Sequence, residues 1–381
     1  MPSTRPPSIH ILGTGNLGSL LAFAIRKHHP HIPVTLLFHR PSLAREWRDA
    51  GEKITVTKKG VVQSLGWLGV EYLGSGEEPE TGRIENLIVA TKSYKTVEAL
   101  RPLVGRLERG EGKREKRASV LFCQNGIGTI DSTLPLFPNP QTRPYFLTGI
   151  FNHGIYTNAP FSITHAGIAN AFIGPAFSFD TMTPTKPSFH IRRQRNSNQN
   201  TYTSNRSLLN TLSTCHSLSI TPTPALPLLH IQLAKLAVNA VINPLTALFR
   251  VQNGVVFENE HTRRLAELLV AELSPVLLGT LERVSQDLSL HAESRARFSV
   301  QGLMDEVKRV CEITKENKSS MRQDVEAGRK TEVGFINGWV VRMGRELGVD
   351  VRLNERVVEL VEGGVRVDAG DEGNVREAFG V

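Results

Sequence analysis

Cysteine is scarce in this chain. Cys123, Cys215 and Cys311 are the only three in 381 residues. They lie far apart and make neither a disulfide framework nor a metal site. A reducing compartment follows, with each thiol a small buried hydrophobe. Also absent is any run of 18 apolar residues, so no transmembrane helix and no membrane partner are expected. Only MPSTRPPS precedes the first apolar strand, too short for a signal peptide. The cytosol is the expected compartment, with mitochondria the alternative. Aromatics are few, at 6%. That matters because the net charge of +8 invites a nucleic-acid reading. The basic clusters at 109–117 and 190–206 interleave no aromatics on which bases would stack. They read as solvated loops, no nucleic-acid partner is expected, and the excess charge suits the steering of anionic ligands. No His/Cys/Asp cluster has metal-ligand spacing, so no metal is expected.

What is present begins with an alternation. SIHILGTG (8–15) reads as a strand entering a glycine turn, and NLGSLLAFAIRKHH (16–29) has a helical apolar period. PVTLLFHR (33–40) is a second strand. NLIVATK (86–92) and SVLFCQNG (119–126) are continuous apolar runs, as in a parallel sheet buried on both faces. Further strand-like pieces run from 145 to about 176. From 226 the pattern is helical. The fold class is therefore α/β, a Rossmann-type doubly wound sheet followed by an all-helical C-terminal domain. The expected boundaries are 1–225 and 226–362, with a polar insertion at about 177–206 and a flexible, glycine-rich tail at 363–381. The helix over TEVGFINGWVVRMGRELGVD is expected to open at Thr331 and to stop at Gly348.

Gly13, Gly15 and Gly18 stand in G-x-G-x-x-G spacing, with Asn16 and Leu17 between them. Glycines alone merely mark turns, but here a strand precedes and a helix follows. In that setting Gly13 permits the tight turn, Gly15 admits a pyrophosphate, and Gly18 lets helix pack on strand. The helix start offers N–H groups to phosphate. NAD-specific sites place a carboxylate at the end of the second strand. This strand ends in His39 and Arg40 instead. Arg40 suits the 2′-phosphate of NADPH, so NADP is the expected cofactor; the plainer reading is a surface arginine.

The stretch LAKLAVNAVINPLTAL (233–248) poses a question. It reads as an apolar, buried helix, yet Lys235, Asn239 and Asn243 recur every four residues. They fall within about 80° of one another over roughly 12 Å. Buried polar groups need partners, so this stripe faces something polar. A lysine snorkelling from a helix edge is the bland alternative. Asn243 precedes Pro244, where a helix should break or kink.

Five segments, GTGNLG, ATKSYKT, CQNGIGT, KLAVNAVINPLTAL and NKSSMRQDVEAGRKTEVGFINGWVV, resemble the ketopantoate reductases (2-dehydropantoate 2-reductases) in order and spacing, from about residue 8 to 350. That resemblance implies a Rossmann domain and a helical domain with the active site in the cleft between them, and reduction of 2-dehydropantoate to (R)-pantoate by NADPH on the way to coenzyme A. It implies Lys235 as general acid and Glu332 as the residue orienting the catalytic groups. Asn239, Asn243, Asn317 and Ser320 are then substrate-binding, with Asn317, Ser320 and Asp324 on one helical face. Asp324 reads as helix surface. Lys92 and Asn125 join Gly13, Gly15, Asn16, Leu17, Gly18 and Arg40 on the cofactor side. Their plain alternatives are capping for Glu332 and strand-end turn chemistry for Lys92 and Asn125. The expected partner is a small 2-oxo acid, bound by a monomer or homodimer. A paralogue acting on another 2-oxo acid would keep the same residues; a non-enzymatic NADPH sensor would have lost them.

Overall fold

The computed structural model describes residues 8–73, 82–108, 117–185, 191–192, 201–202, 206–284 and 288–380. The chain divides into two compact units, residues 1–124 with 129–228, and residues 125–128 with 229–381. The sequence reading had kept 125–128 with the first domain.

The first unit is built on an eight-stranded sheet. Its order is Ile220–Pro222, Ala171–Pro175, Tyr145–Phe151, Ser119–Phe122, Asn86–Val89, Ile9–Leu12, Val34–Phe38, Gly69–Tyr72. The six strands from Tyr145–Phe151 to Gly69–Tyr72 are mutually parallel; Ala171–Pro175 runs antiparallel to Tyr145–Phe151. Side chains alternate between faces along a strand, and both faces are covered. Ile9, Ile11, Leu36, Ile88 and Leu121 enter one core, while Leu12, Leu37, Leu87, Val89 and Val120 enter the other. That double burial explains the continuous apolar runs. A second sheet, ordered Val61–Leu65, Ile54–Lys58, Ser162–Gly167, Gly154–Ala159, contains two strands that the sequence reading lacked. Val61–Leu65 is exposed at nearly every position, so it shows no burial pattern to read.

The start of the supposed surface insertion is not solvated. Phe177, Ser178 and Phe179 are buried. The Asp131 carboxylate accepts hydrogen bonds from Ser178 Oγ at 2.7 Å and from the backbone N–H of Phe179 at 3.0 Å. Burial raises the pKa of Asp131 above its ordinary value, against these bonds, which lower it. The rest of the insertion lies largely outside the described residues, as does most of the basic loop at 109–117.

The second unit is helical. Its long helix, Ala225–Phe249, continues straight through Pro244. A break was expected there because proline lacks the N–H that would bond the carbonyl four residues back. That carbonyl, Ala240 O, accepts instead from Asn337 Nδ2 at 2.8 Å. The helix also corrects the expectation that no segment is apolar enough to span a bilayer. Its best window has a mean hydropathy of 1.5, but 56% of that window is buried inside the protein, and a core helix passes the same test.

Two more expectations change here. The helix foreseen from Thr331 begins at Asn337, after a bend at Glu332, a 3₁₀ turn at Val333–Phe335 and a turn residue at Ile336. It does stop at Gly348, which has φ +70°. The tail does not fray either. Glu372–Phe379 is a helix capped by Asp371, with Val375, Ala378 and Phe379 buried. The Phe379 ring stacks on Phe249 at 5.9 Å. The glycines hid this short amphipathic turn.

Candidate active site

In the first unit Leu12 pairs with Leu37 on one side and Val89 on the other. Three parallel strands therefore end side by side, delivering Gly13, His39–Arg40 and Ala90–Lys92 to one edge of the sheet. Ligands of open α/β sheets bind at such carboxyl ends.

The three glycines differ in what a side chain would meet. Gly13 has φ +100°, and a Cβ there would lie 2.6 Å from Thr91 N. At Gly18 a Cβ would lie 1.9 Å from Gly13 O, so helix and turn touch through backbone. At Gly15 nothing stands within 4 Å, and the residue is exposed. The open position is thus the middle one, at the start of the Asn16–His28 helix, whose first turn carries no acidic residue. Asn16 uses its side chain structurally, donating to Ile155 O at 3.2 Å and accepting from Thr157 Oγ1. What it offers an anion is its backbone N–H. Leu17 packs against the core.

Arg40 caps the Pro41–Asp49 helix and is half exposed. Its guanidinium pairs with Glu46 at 3.0 Å and donates to Ser42 Oγ at 2.5 Å. His39 is not alone beside it. Partial burial, then the charges of Lys95 and Arg40, hold the His39 pKa below its ordinary value, with Glu98 opposing. Lys95 was missed by sequence reasoning. It ends the 3₁₀ turn Ser93–Lys95, which Lys92 caps. Lys95 N bonds Lys92 O at 2.9 Å, and Gln124 Nε2 ties the next strand end to Thr96 Oγ1 at 2.9 Å. The edge carries Lys92, Lys95 and Arg40, of which Lys95 and Arg40 act on His39.

In the second unit, Lys235, Asn239 and Asn243 stand on the long helix at the expected spacing. Lys235 and Asn239 are half-buried and Asn243 is buried. Two hydrogen bonds tie other site segments to this helix. Thr246 Oγ1 bonds Ser319 Oγ at 2.7 Å, and Ser319 caps the Ser320–Glu326 helix by accepting from Arg322 N at 3.1 Å. Ser320 is therefore the first residue of a helix registered against the stripe. The Asn337–Ala240 bond does the same for the segment carrying Glu332, which is 7% exposed. Phe335 N bonds Glu332 O at 3.0 Å, and Phe335 O accepts from Ile127 N at 2.8 Å. Gly126, at φ +81°, allows that approach, since a Cβ would lie 2.3 Å from Phe335 O. Asn125 is thereby held to the Glu332 segment.

Two expectations for this region fail. Asn317 is not on a helical face with Ser320. It lies exposed in the turn before the helix, where its carbonyl accepts from Asn253 N at 3.1 Å. Asp324 is not helix surface. It is buried and binds Arg329 Nε at 3.0 Å. Ser319 had a sequence signal, a serine just before a helix; Asn337 had none.

The family described as ketopantoate reductase PanE/ApbA matches residues 9–177, and its C-terminal domain matches 228–364. A ketoisovalerate reductase of Beauveria bassiana is 28% identical over 407 residues, covering 94% of this chain and 84% of that protein. The 2-dehydropantoate 2-reductase of Saccharomyces cerevisiae is 27% identical over 381 residues, covering 94% and 95%. The structure of D-mandelate dehydrogenase with NADH and anilino(oxo)acetate has the same fold, with a TM-score of 0.66, 18% identity, and 94% and 98% of the two chains covered.

Proposed function

This chain belongs to the ketopantoate reductase PanE/ApbA family, and from that premise we propose that it reduces 2-dehydropantoate to (R)-pantoate with NADPH. Its reductase relatives make it an oxidoreductase of a keto or hydroxyl group, and the NADH-bound neighbour supports a nicotinamide cofactor. One observation carries the finer reading: a core helix that keeps an ammonium and two amides in one stripe. Such a stripe matches a small substrate carrying keto, carboxylate and hydroxyl groups, because an amide both donates and accepts.

A bound nicotinamide cofactor would supply hydride to the keto carbon. Lys235 stabilises the negative charge that develops on the keto oxygen and donates a proton to it. Glu332 orients that ammonium. Asn239, Asn243 and Ser320 hold the carboxylate and hydroxyl, with Asn317 at the rim. Asn125 and Lys92 would contact the cofactor, with Asn125 also near the substrate. At the glycine turn, backbone N–H groups receive the pyrophosphate where Gly15 leaves room. Arg40, with Lys95 and His39 beside it, receives the 2′-phosphate. The basic edge and the lack of a carboxylate at the strand end support NADPH over NADH. Under this reading the reaction is a step of pantothenate biosynthesis, run in the cytosol by a monomer or homodimer. Three buried, free cysteines suit a reducing compartment.

A second reading has its own support, since two fungal relatives matched over 94% and 96% of this chain are ketoisovalerate reductases. Ketoisovalerate lacks the hydroxyl of 2-dehydropantoate. A site built to bind that hydroxyl rejects the analogue by about 10⁴- to 10⁵-fold. The test is kcat/KM of the purified chain on both acids with NADPH and with NADH. The proposal expects 2-dehydropantoate and NADPH to lead; a ratio near one or inverted gives the site to ketoisovalerate.

A further inference from the structure

Pro244 leaves Ala240 O without its helical donor, and the proline ring crowds that carbonyl. Asn337 Nδ2 takes the vacated place at 2.8 Å. The orientation of this amide is dictated by a chain of partners. Glu272 has a carboxylate, which only accepts. It receives Asn354 Nδ2 at 2.8 Å, and the backbone N–H groups of Leu353 and Asn354 at 2.8 and 2.9 Å. Asn354 must therefore turn Oδ1 the other way, where it accepts from Asn337 Nδ2 at 3.0 Å. Asn337 then presents both donors to acceptors, and its own Oδ1 is buried with no hydrogen-bond partner among the described residues. A buried acceptor left unmet is costly, so the chain keeps asparagine here for what its N–H groups hold. Asn337 and Asn354 are both fully buried.

Ala240 sits directly after Asn239, and Pro244 directly after Asn243. On the far side of the proline, Thr246 Oγ1 bonds Ile242 O at 2.7 Å and Ser319 Oγ at 2.7 Å. The interrupted turn, 240–244, contains Asn243 and follows the part carrying Lys235 and Asn239; it is held to Asn337 at its start and, just past its end, to Ser319. We propose that Asn337 is a positioning residue: its amide takes the place of the missing proline N–H and, by tethering that turn to its own segment, sets where Lys235 and Asn239 stand relative to Glu332 and Ser320. The inference rests on the reading of Lys235 as proton donor. Misplacement of reacting groups by about 1 Å costs about 100-fold, so modest relaxation at this turn is visible in turnover.

The test compares Asn337→Ala, Pro244→Ala and the double variant, with 2-dehydropantoate and NADPH as probes. Asn337→Ala strands Ala240 O. It is expected to lower both the thermal midpoint and kcat, the latter about 10- to 100-fold, with the NADPH Kd unchanged. The double variant restores a backbone N–H for Ala240 O and removes the proline strain. Its thermal midpoint should recover while kcat stays about 10-fold or more below the parent. A purely structural asparagine would give the opposite split, with lost stability and parental kcat in the single variant, or parental kcat in the double. Either result overturns the inference. Lys235→Ala in parallel separates the two levels. If it retains kcat, the proton-donor reading itself fails; if it loses kcat while the double variant does not, only the role of Asn337 fails.

Discussion

The glycine turn and the long helix both place polar groups at the edge of an apolar core, by different means. The turn works with backbone. Gly13 and Gly18 exclude side chains because Thr91 N and Gly13 O stand where Cβ atoms would be, and Gly15 is left open. The helix works with side chains, and it needs supports from elsewhere in the sequence: Asn337 for the carbonyl that Pro244 orphans, and Thr246 bonded to Ser319. A backbone site is carried by a short local motif. A side-chain site depends on residues 73 and 97 positions apart.

That difference breaks most sharply at Lys235. Replacing it with alanine should lower kcat by about 10²- to 10⁴-fold, the scale of a general acid. NADPH affinity, which we assign to the glycine turn and Arg40, should hold. Near-parental turnover would remove Lys235 from the mechanism.

The legibility of the two regions differs for the same reason. The alternation of strands and helices, the tight turn at Gly13 and the helical start at Asn16 follow from spacing, because each involves neighbours in sequence. So does the Lys235–Asn239–Asn243 periodicity. The Asn337–Ala240 bond, the burial of Asp324 and the docking of Ile127 on Phe335 depend on long-range pairing that no periodicity encodes. Lys95 was hidden for a related reason: its charge reaches His39 only because their strands end side by side. The tail helix was misread because its glycines outweighed three well-spaced apolar residues.

Arg40 sharpens the comparison on the cofactor side. Arg40→Ala should weaken NADPH by about 10- to 150-fold, the value of one charge-assisted contact of about 1.5–3 kcal/mol. NADH should barely change. Equal losses in the two titrations would refute the 2′-phosphate assignment.

The glycines give a smaller, paired effect. Gly18→Ala forces a Cβ against Gly13 O and should destabilise the fold by about 1–3 kcal/mol in urea unfolding. Gly15→Ala meets nothing in the protein and should keep its midpoint, yet bind NADPH about 10- to 100-fold more weakly through the same steric term. If Gly15→Ala binds NADPH normally, the pyrophosphate does not approach there.

The smallest effect concerns pH and separates the units again. His10 and His165 are both in the sheet unit. Burial first, then Arg106 for His10 and His153 for His165, pushes each pKa down from 6.5 to about 4. Glu71 pulls His10 the other way, and the backbone of Gly167 does so for His165. Below pH 6.5 the unfolded chain therefore takes up protons that the native chain refuses. Stability is full above that pH and is lost as pH falls towards 4. Going from pH ~7.5 to ~5.5 should cost about 1 kcal/mol for each histidine. Asp131, raised by burial, acts with the opposite sign, from the raised value down to its ordinary one. A denaturation series across this window should show the slope, and His165→Gln should flatten it; an unchanged slope would contradict the assignment.

The account centres on a hydride delivered from a cofactor at the glycine turn to a 2-oxo acid held by the long helix. The direct measurement is mass spectrometry of the product formed by the purified chain from 2-dehydropantoate and NADPH deuterated at the transferable position. The account predicts pantoate with one deuterium on the former keto carbon, formed by the parent chain and about 10²-fold or more slowly by Lys235→Ala. Pantoate without deuterium, or no pantoate from the parent chain, would contradict it.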